Sequence, residues 1–448
     1  MRITRRQMLK TSLALVPTFS MLPAVFRRAV AASLLESGSS VSSAVDRTLI
    51  VVQMAGGNDG LNTVIPYADG RYYDYRPKIA IPQEQVIPLN REVGLNPALA
   101  KFKALWDEGI LAIVEGVGYP NQSYSHFESM NIWQTADPEK KQKEGWLGRY
   151  FDSLEKTQET AFRGMAVGRI LPPELSSPHA PIPIVESVAL YQLQGDPSYQ
   201  PGTQARTEAL LKLYNSSPRE APYAVLLENT LEAAYKSSQA LQQADKSYKA
   251  AVEYPDTPLG RGLRLLAEAV TSNLGVKVGH VTIGGFDTHA DQQKDQPRLL
   301  QTLSEALYAF YQDLRGHGKD KDVLIMTWSE FGRRVKGNAS DGTDHGSAEP
   351  LFVLGTPVKG GLYGQRPDLG YLYQDNLRFT TDFRSVYATV LSKWLNAPAV
   401  TILGGKQFEE LPFLTPAQAR ALPQRPAHSL ALSFVNQRMK DSPKPRSP

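Results

Sequence analysis

Five short apolar runs punctuate the chain, and each stops at a loop bearing glycine. Thr48-Leu49-Ile50-Val51-Val52-Gln53-Met54 stops at Ala55-Gly56-Gly57-Asn58-Asp59-Gly60, and Ile110–Val114 leads into Glu115-Gly116-Val117-Gly118-Tyr119-Pro120. Val278–Ile283 leads into Gly284-Gly285-Phe286-Asp287-Thr288-His289, Val323–Trp328 into Ser329-Glu330-Phe331-Gly332, and Leu351–Leu354 ends at Gly355. Continuous apolar runs of this length, rich in β-branched residues, fit strands buried on both faces of a parallel sheet. Between them the spacing turns helical. Asn96–Glu108 places Leu99, Phe102, Leu105 and Trp106 on one side, and Pro258–Asn273 precedes the third run. Pro297–Arg315 carries Leu299, Leu300, Leu303, Leu307, Phe310 and Leu314 on one stripe, and Thr381–Leu395 has Asp382 near its start and Asn396-Ala397-Pro398 at its end. Strand and helix in alternation predict an α/β fold whose sheet is covered on both faces. Residues 155–257 break the alternation with proline-rich loops and two polar helical stretches, Thr203–Tyr214 and Pro222–Val252. They read as a helical insertion or cap inside one domain spanning 47–436.

Charge changes the picture at one end. The whole chain of 448 residues carries a formal +4, but Arg2, Arg5, Arg6, Lys10, Arg27 and Arg28 lie in residues 1–32, where there is no acid. Without those six, 43 bases face 45 acids, so the rest is near neutral and slightly acidic. Thr4-Arg5-Arg6-Gln7-Met8-Leu9-Lys10 is a twin-arginine pattern, an apolar stretch from Thr11 to Phe26 follows, and Ala29-Val30-Ala31 fits a small-residue cleavage site. Residues 1–32 therefore resemble a Tat export signal. The expectation is a periplasmic or extracellular protein that meets the Tat translocase during export. Residues 33–46 are serine-rich and read as a linker, and the basic, proline-containing 437–448 read as a disordered tail. No later segment reaches the length and apolarity of a membrane span, so none is expected after cleavage. No basic stripe interleaves with aromatics, which argues against nucleic acid. No GxGxxG or P-loop motif supports a nucleotide cofactor.

The chain has no cysteine. That excludes disulfides, thiolate zinc sites, iron–sulfur clusters, cysteine nucleophiles and a cysteine-derived formylglycine. Chemistry must come from Ser, Asp, Glu and His. In open α/β sheets ligands collect beyond the carboxyl ends of the strands, and the loops there hold Asp59, Asp287, His289 and Glu330, with Gly342-Thr343-Asp344-His345-Gly346 just before the fifth run. Oxygen ligands plus imidazole suit Zn²⁺, Mn²⁺ or a similar divalent ion, with Mg²⁺ and Ca²⁺ also open. Taken singly these residues are ordinary: Asn58-Asp59-Gly60 is a turn signature. Taken together they weigh more, because the chain has seven histidines and His126, His289 and His345 all sit in such loops. Ser125-x-x-Glu128 is a capping box opening a helix. Ser125 can be an N-cap, a nucleophile where backbone N–H groups favour a phosphate, or both. Either Arg333 or Arg334 can bind an anionic substrate by paired hydrogen bonds.

Met54-Ala55-Gly56-Gly57-Asn58-Asp59-Gly60-Leu61-Asn62, Ser125-His126-Phe127, Phe286-Asp287-Thr288-His289, Ser329-Glu330-Phe331-Gly332-Arg333 and Gly342-Thr343-Asp344-His345-Gly346 occur in that order. This set resembles the exported family catalogued as domain of unknown function 1501, from about Thr48 to about Leu414. That family is in turn related to the alkaline phosphatase and sulfatase superfamily. The resemblance implies a large α/β sandwich with a mostly parallel central sheet. It implies metal ligation by Asp59, by Asp344 and His345, and by Asp287 and His289, with Ser125 as nucleophile. There are departures. Asp287-x-His289 is a tighter pair than these phosphatases use, and the only histidine after His345 is His428, in the tail, so Glu330 is the available substitute ligand. The sulfatase arginine four residues after the modified residue is absent: Phe127 stands there relative to Ser123 and Ser129 relative to Ser125. The expected function is an exported, metal-dependent hydrolase of phosphate esters, ahead of sulfate esters. Ser125 attacks, Arg333 or Arg334 steadies the ester oxygens, and the metal ligands are Asp59, Asp287, His289, Glu330, Asp344 and His345. The alternative is an inactive envelope binding or assembly protein on the same fold.

Overall fold

Thr48–Ala55 (β1), Leu111–Gly118 (β2), Val278–Gly284 (β5), Val323–Trp328 (β6) and Glu349–Leu354 (β7) realise the five apolar runs as strands. In this computed structural model the described residues are 47–154, 162–180, 182–191, 209, 212 and 224–415. The expected leader (1–32), linker (33–46), most of Thr203–Tyr214 and the tail (437–448) lie outside them. β1, β2 and β6 are buried at nearly every position, as continuous apolar runs require when both faces of a sheet are covered.

With Gly164–Val167 (β3), Ile184–Val185 (β4), Gly361–Tyr363 (β8) and Thr381–Asp382 (β9), these strands form one sheet in the order β8-β2-β7-β6-β1-β5-β3-β4, with β9 also on β2. β1 runs parallel to β5 and β6, with Ala55 opposite Gly284 and Gln53 opposite Trp328. The loops after these three strands therefore leave from the same edge. β7 is antiparallel to both β2 and β6. The reason lies in its connection: residues 329–348 contain no crossover helix, and a parallel return needs one. The start of β7 therefore lies at the edge where β6 ends.

Two expectations need correction. Residues 155–257 are not solely a helical insertion, because β3 and β4 extend the central sheet from within them. At four and two residues β3 and β4 carry too little apolar sequence to announce strands, and β4 follows directly on Pro183. The helix expected from Pro297 starts earlier, at Gln292, and runs to Gly316. Pro297 lies near the helix start and removes only one early backbone bond. Its buried stripe includes Leu300, Leu303, Leu307, Phe310 and Leu314. This helix packs with Pro258–Thr271 over one sheet face, in the cluster with Ile50, Val52, Ile113 and Ile325. The opposite face holds Leu49, Val51, Val114 and Met326 against Trp133, Trp146, Phe383 and Tyr387. Thr381–Leu395 is helical from Phe383 to Thr389 and continues as a π-turn over Val390–Trp394. His280, expected in a strand, lies buried on β5 with Nε2 2.8 Å from Glu174 Oε1. Among the described residues no helix is long and apolar enough to cross a membrane.

Candidate metal and ester site

The loop after β5 places Asp287 at the centre. Its Oδ1 lies 2.6 Å from Arg333 Nη2, 3.0 Å from His289 Nε2 and 3.1 Å from His345 Nε2, and its Oδ2 lies 3.4 Å from His126 Nε2. His289 Nε2 and His345 Nε2 are 2.9 Å apart. The imidazoles are close-set: ring centroids are 4.5 Å apart for His126 and His345, and 4.7 Å for His289 and His345. Phe331 packs 4.4 Å from His345 and 5.0 Å from His126.

Glycines make this approach possible. Gly56 has φ +123°, and a Cβ there would stand 2.3 Å from the Asp287 backbone nitrogen. A Cβ on Gly346 would stand 2.2 Å from the Arg333 carbonyl carbon. Gly56→Ala is expected to lower unfolding free energy by about 2 kcal/mol through φ strain and displacement of Asp287. The denaturation midpoint measures this, and an unchanged midpoint would refute so close an approach.

Arg333 fixes Asp287 from below. Its side chain is fully enclosed and donates to the carbonyls of Gly56, Gly57, Phe286 and Thr343 as well as to Asp287. Burial raises the Asp287 pKa, but the Arg333 and His345 hydrogen bonds and the Arg333 and His289 charges overcome it and bring the pKa to about 2. Asp287 is therefore a carboxylate at any physiological pH. Burial pushes the His345 pKa down, and the Arg333 and His126 charges push the same way, against its bonds to Tyr124 and Asp287.

The tautomers follow from the partners. His345 Nδ1 is 2.7 Å from the Tyr124 carbonyl, and His126 Nδ1 is 2.8 Å from Glu330 Oε1. A carbonyl and a carboxylate only accept, so both Nδ1 atoms carry protons. With those protons placed, the Nε2 atoms of His126 and His345 both face the Asp287 carboxylate, an arrangement able to share a cation. A buried carboxylate or backbone carbonyl on the far nitrogen is what metal-binding histidines use for orientation. Among the described residues, His126, Asp287 and His345 form a group whose ligand atoms all lie within 4.8 Å of one another. Three imidazoles and one carboxylate fit zinc or a similar divalent ion.

The other expected residues are placed differently. Glu330 is buried and holds His126 while accepting from Gly56 N at 2.8 Å, so it stands behind a ring of the cluster. Asp344 Oδ1 is 3.5 Å from His289 Nδ1 and also takes Asn338 Nδ2 at 3.2 Å, again behind a ring. Asp59 is not in the cluster. It caps the turn Gly60–Thr63, and its Oδ2 lies 2.5 Å from both Arg76 Nη1 and Gln292 Nε2. Arg333, expected as one of two candidates for ester oxygens, is sealed from the cleft, whereas Arg334 is exposed. Ser125 is the N-cap residue of His126–Thr135 (α2 in chain order after Ala100–Asp107, α1), but its hydroxyl makes no capping bond. The capping box is not formed: Glu128 binds Ser123 Oγ and Lys140 instead. Ser125 is exposed, between Tyr124, whose carbonyl holds His345, and His126, whose ring joins the cluster.

His126 is the site residue that the ligand set from sequence omitted. Its signal was present in Ser125-His126-Phe127, directly after β2. Nothing in the spacing linked it to Glu330, 204 residues away.

A family model described as "Protein of unknown function (DUF1501)" matches residues 112–406. The match includes His126, Asp287, His289, Glu330, Arg333 and His345, and begins after Asp59. No curated protein matches the chain. Among solved structures, the PsFucS1 sulfatase from Pseudoalteromonas sp. is 10% identical over 80% of this chain and 68% of its own, with TM-score 0.34. The lipoteichoic acid synthase LtaP from Listeria monocytogenes is 11% identical over 75% of each chain, TM-score 0.26. A putative sulfatase from Bacteroides thetaiotaomicron is 9% identical over 82% of this chain and 76% of its own, TM-score 0.30. At such distances nothing about chemistry transfers from them. The family match, by contrast, spans most of the chain and contains the whole imidazole cluster: the protein belongs to the DUF1501 family.

Proposed function

We propose that this chain is an exported, metal-dependent hydrolase of anionic esters, phosphate ahead of sulfate. The observation that carries the reading is the convergence of His126, His289 and His345 on Asp287, with two far nitrogens tied to acceptors. A divalent ion held by this set supplies Lewis-acid polarisation and a lowered pKa for the attacking hydroxyl. Glu330 and the Tyr124 carbonyl keep His126 and His345 in one tautomer. Arg333 keeps Asp287 ionised and aimed. Ser125 offers an uncommitted hydroxyl at the start of a ten-residue helix, where backbone N–H groups receive an anion. Its Oγ bonds to phosphorus as the bond to the alcohol oxygen breaks, the serine proton leaving with that oxygen as the alcohol; water then bonds to phosphorus as the Oγ–P bond breaks, and its proton restores the Ser125 hydroxyl. Exposed Arg334 steadies the ester oxygens. Export through the Tat translocase rests on the twin-arginine leader.

Asp59 bears on the number of ions. Its pairing with Arg76 supports one ion at this centre instead of two. It also favours the second reading, an inactive binding protein, to the extent that turnover needs a second ion. Elemental analysis of protein purified without chelator, with phosphomonoester, phosphodiester and sulfate ester assays, tests the proposal. The expected result is about one equivalent of divalent metal, lost in His345→Ala together with turnover. Wild-type protein with neither metal nor ester turnover would overturn it, and metal without turnover would select the binding protein.

A further inference from the structure

Beside the imidazole cluster lies an aromatic surface of which the proposed chemistry uses only Arg334 and the Tyr124 carbonyl. Tyr371 and Tyr373 are 64% and 56% exposed, and Phe379 and Tyr124 are exposed as well. Contacts link Tyr371, Tyr373 and Tyr124. The Arg378 guanidinium lies 4.2 Å from the Tyr371 ring centroid and 5.4 Å from that of Tyr373. Tyr373 exchanges backbone hydrogen bonds with Asn376, whose Nδ2 donates to the Tyr124 hydroxyl at 3.2 Å. The Tyr124 carbonyl in turn fixes His345. Phe379 lies over Gly118 at the end of β2, so close that a Cβ on Gly118 would stand 2.8 Å from its own. An unbroken path of contacts thus runs from exposed rings to a cluster nitrogen.

Arg334 and Arg378 give this surface its charge. Both are exposed, and neither has a carboxylate partner among the described residues. The nearby acid Asp375 is neutralised by Lys336 at 3.1 Å. Aromatic faces take flat apolar surfaces, and the tyrosine hydroxyls add polar tips that hydrogen-bond. Sugar rings meet both demands, presenting C–H groups on their faces and hydroxyls at their edges. Two unpaired guanidinium groups suit sparse anionic substituents. A nucleic acid strand, with one phosphate per nucleotide, calls for a longer row of cations than two.

We infer that the surface of Tyr371, Tyr373, Phe379, Tyr124, Arg334 and Arg378 binds an anionic glycan and presents its ester group to the His126–His289–His345 cluster. The naming of this substrate class rests on the ester-hydrolase reading, but binding is measurable without turnover.

Native affinity electrophoresis of the full mature chain tests it, with gels containing phosphomannan, chondroitin sulfate or neutral mannan. Soluble poly(dT) and phosphatidylglycerol-rich vesicles serve as alternative ligands. The expected result is retardation by at least one anionic glycan, with little by neutral mannan. It should weaken on the order of tenfold in Tyr371→Ala/Tyr373→Ala and in Arg378→Ala. Metal content and melting temperature should match wild type, so that loss of binding is not loss of fold. Phosphomannan against chondroitin sulfate distinguishes phosphate from sulfate as the anionic group. Equal retardation of variants and wild type, no retardation by either anionic glycan, or stronger binding to poly(dT) or vesicles would overturn the inference. Glycan binding that persists in a protein without ester turnover would leave the surface standing and remove the hydrolase.

Discussion

Asp287→Asn is expected to empty the site and stop turnover while keeping the side chain's shape. Asp287 holds the negative charge where three imidazoles meet, above the enclosed Arg333 guanidinium. Asparagine leaves that guanidinium's positive charge directly beneath the position a divalent ion would take, so the site changes from attracting a cation to repelling one. The loss in metal affinity should be at least about 100-fold, and in turnover on the order of 1000-fold. Stability falls too. The Arg333 side chain is enclosed but Asp287 is 45% exposed, so solvent screens the pair and the cost falls well below the roughly 3 to 5 kcal/mol of a buried one, at about 1 kcal/mol. Four carbonyls also accept from Arg333 and moderate the loss further. Loss of a bound ion lowers apparent stability by itself. Variant and wild type should therefore be compared in excess chelator, where any remaining gap belongs to the ion pair. Metal retained in Asp287→Asn would remove Asp287 from the ligand set.

Asp59→Asn should give the opposite pattern: a less stable protein with its metal content intact. Arg76 and Asp59 are almost fully buried and 2.5 Å apart. Arg76 also donates to Asn62 Oδ1 and to the carbonyls of Val335 and Arg334, so it ties the turn after β1 to the loop after β6. Neutralising Asp59 strands this cation, and the melting temperature should drop by several degrees for a loss of about 3 to 5 kcal/mol. Asp59→Asn/Arg76→Met should cost less than the two single changes added together, because the second removes the charge that the first strands. Loss of metal in Asp59→Asn at unchanged stability would make Asp59 a ligand and its pairing with Arg76 incidental.

These two acids show where the sequence was informative. Both follow an apolar run and a glycine, and both stand in loops leaving the same sheet edge. Local pattern could not separate them, because the difference lies in distant partners: Arg333 and three rings for Asp287, Arg76 and Gln292 for Asp59. Buried strands were legible because they need unbroken apolar sequence. β3 and β4 were not, since runs of four and two residues are too short to show a pattern. The direction of β7 was hidden for another reason. Leu351–Leu354 is as apolar as a parallel strand, and only the lack of a helix in 329–348 marks the reversal. The capping box failed because Ser123 and Lys140 compete for Glu128, a competition that the four-residue motif does not contain.

The antiparallel return of β7 has one more consequence. Residues 329–348 leave the sheet and re-enter it at the same edge, so the loop is closed at both ends. Within it Gly332 N donates to the Ser347 carbonyl, Gly346 N to that of Gly332, and Arg334 N to that of Asp344. The backbone carrying Glu330, Arg333 and His345 is thus ordered as part of folding the sheet. A ligand arriving there would find little chain left to immobilise, so the entropy of arranging the site falls on folding and leaves binding largely free of it.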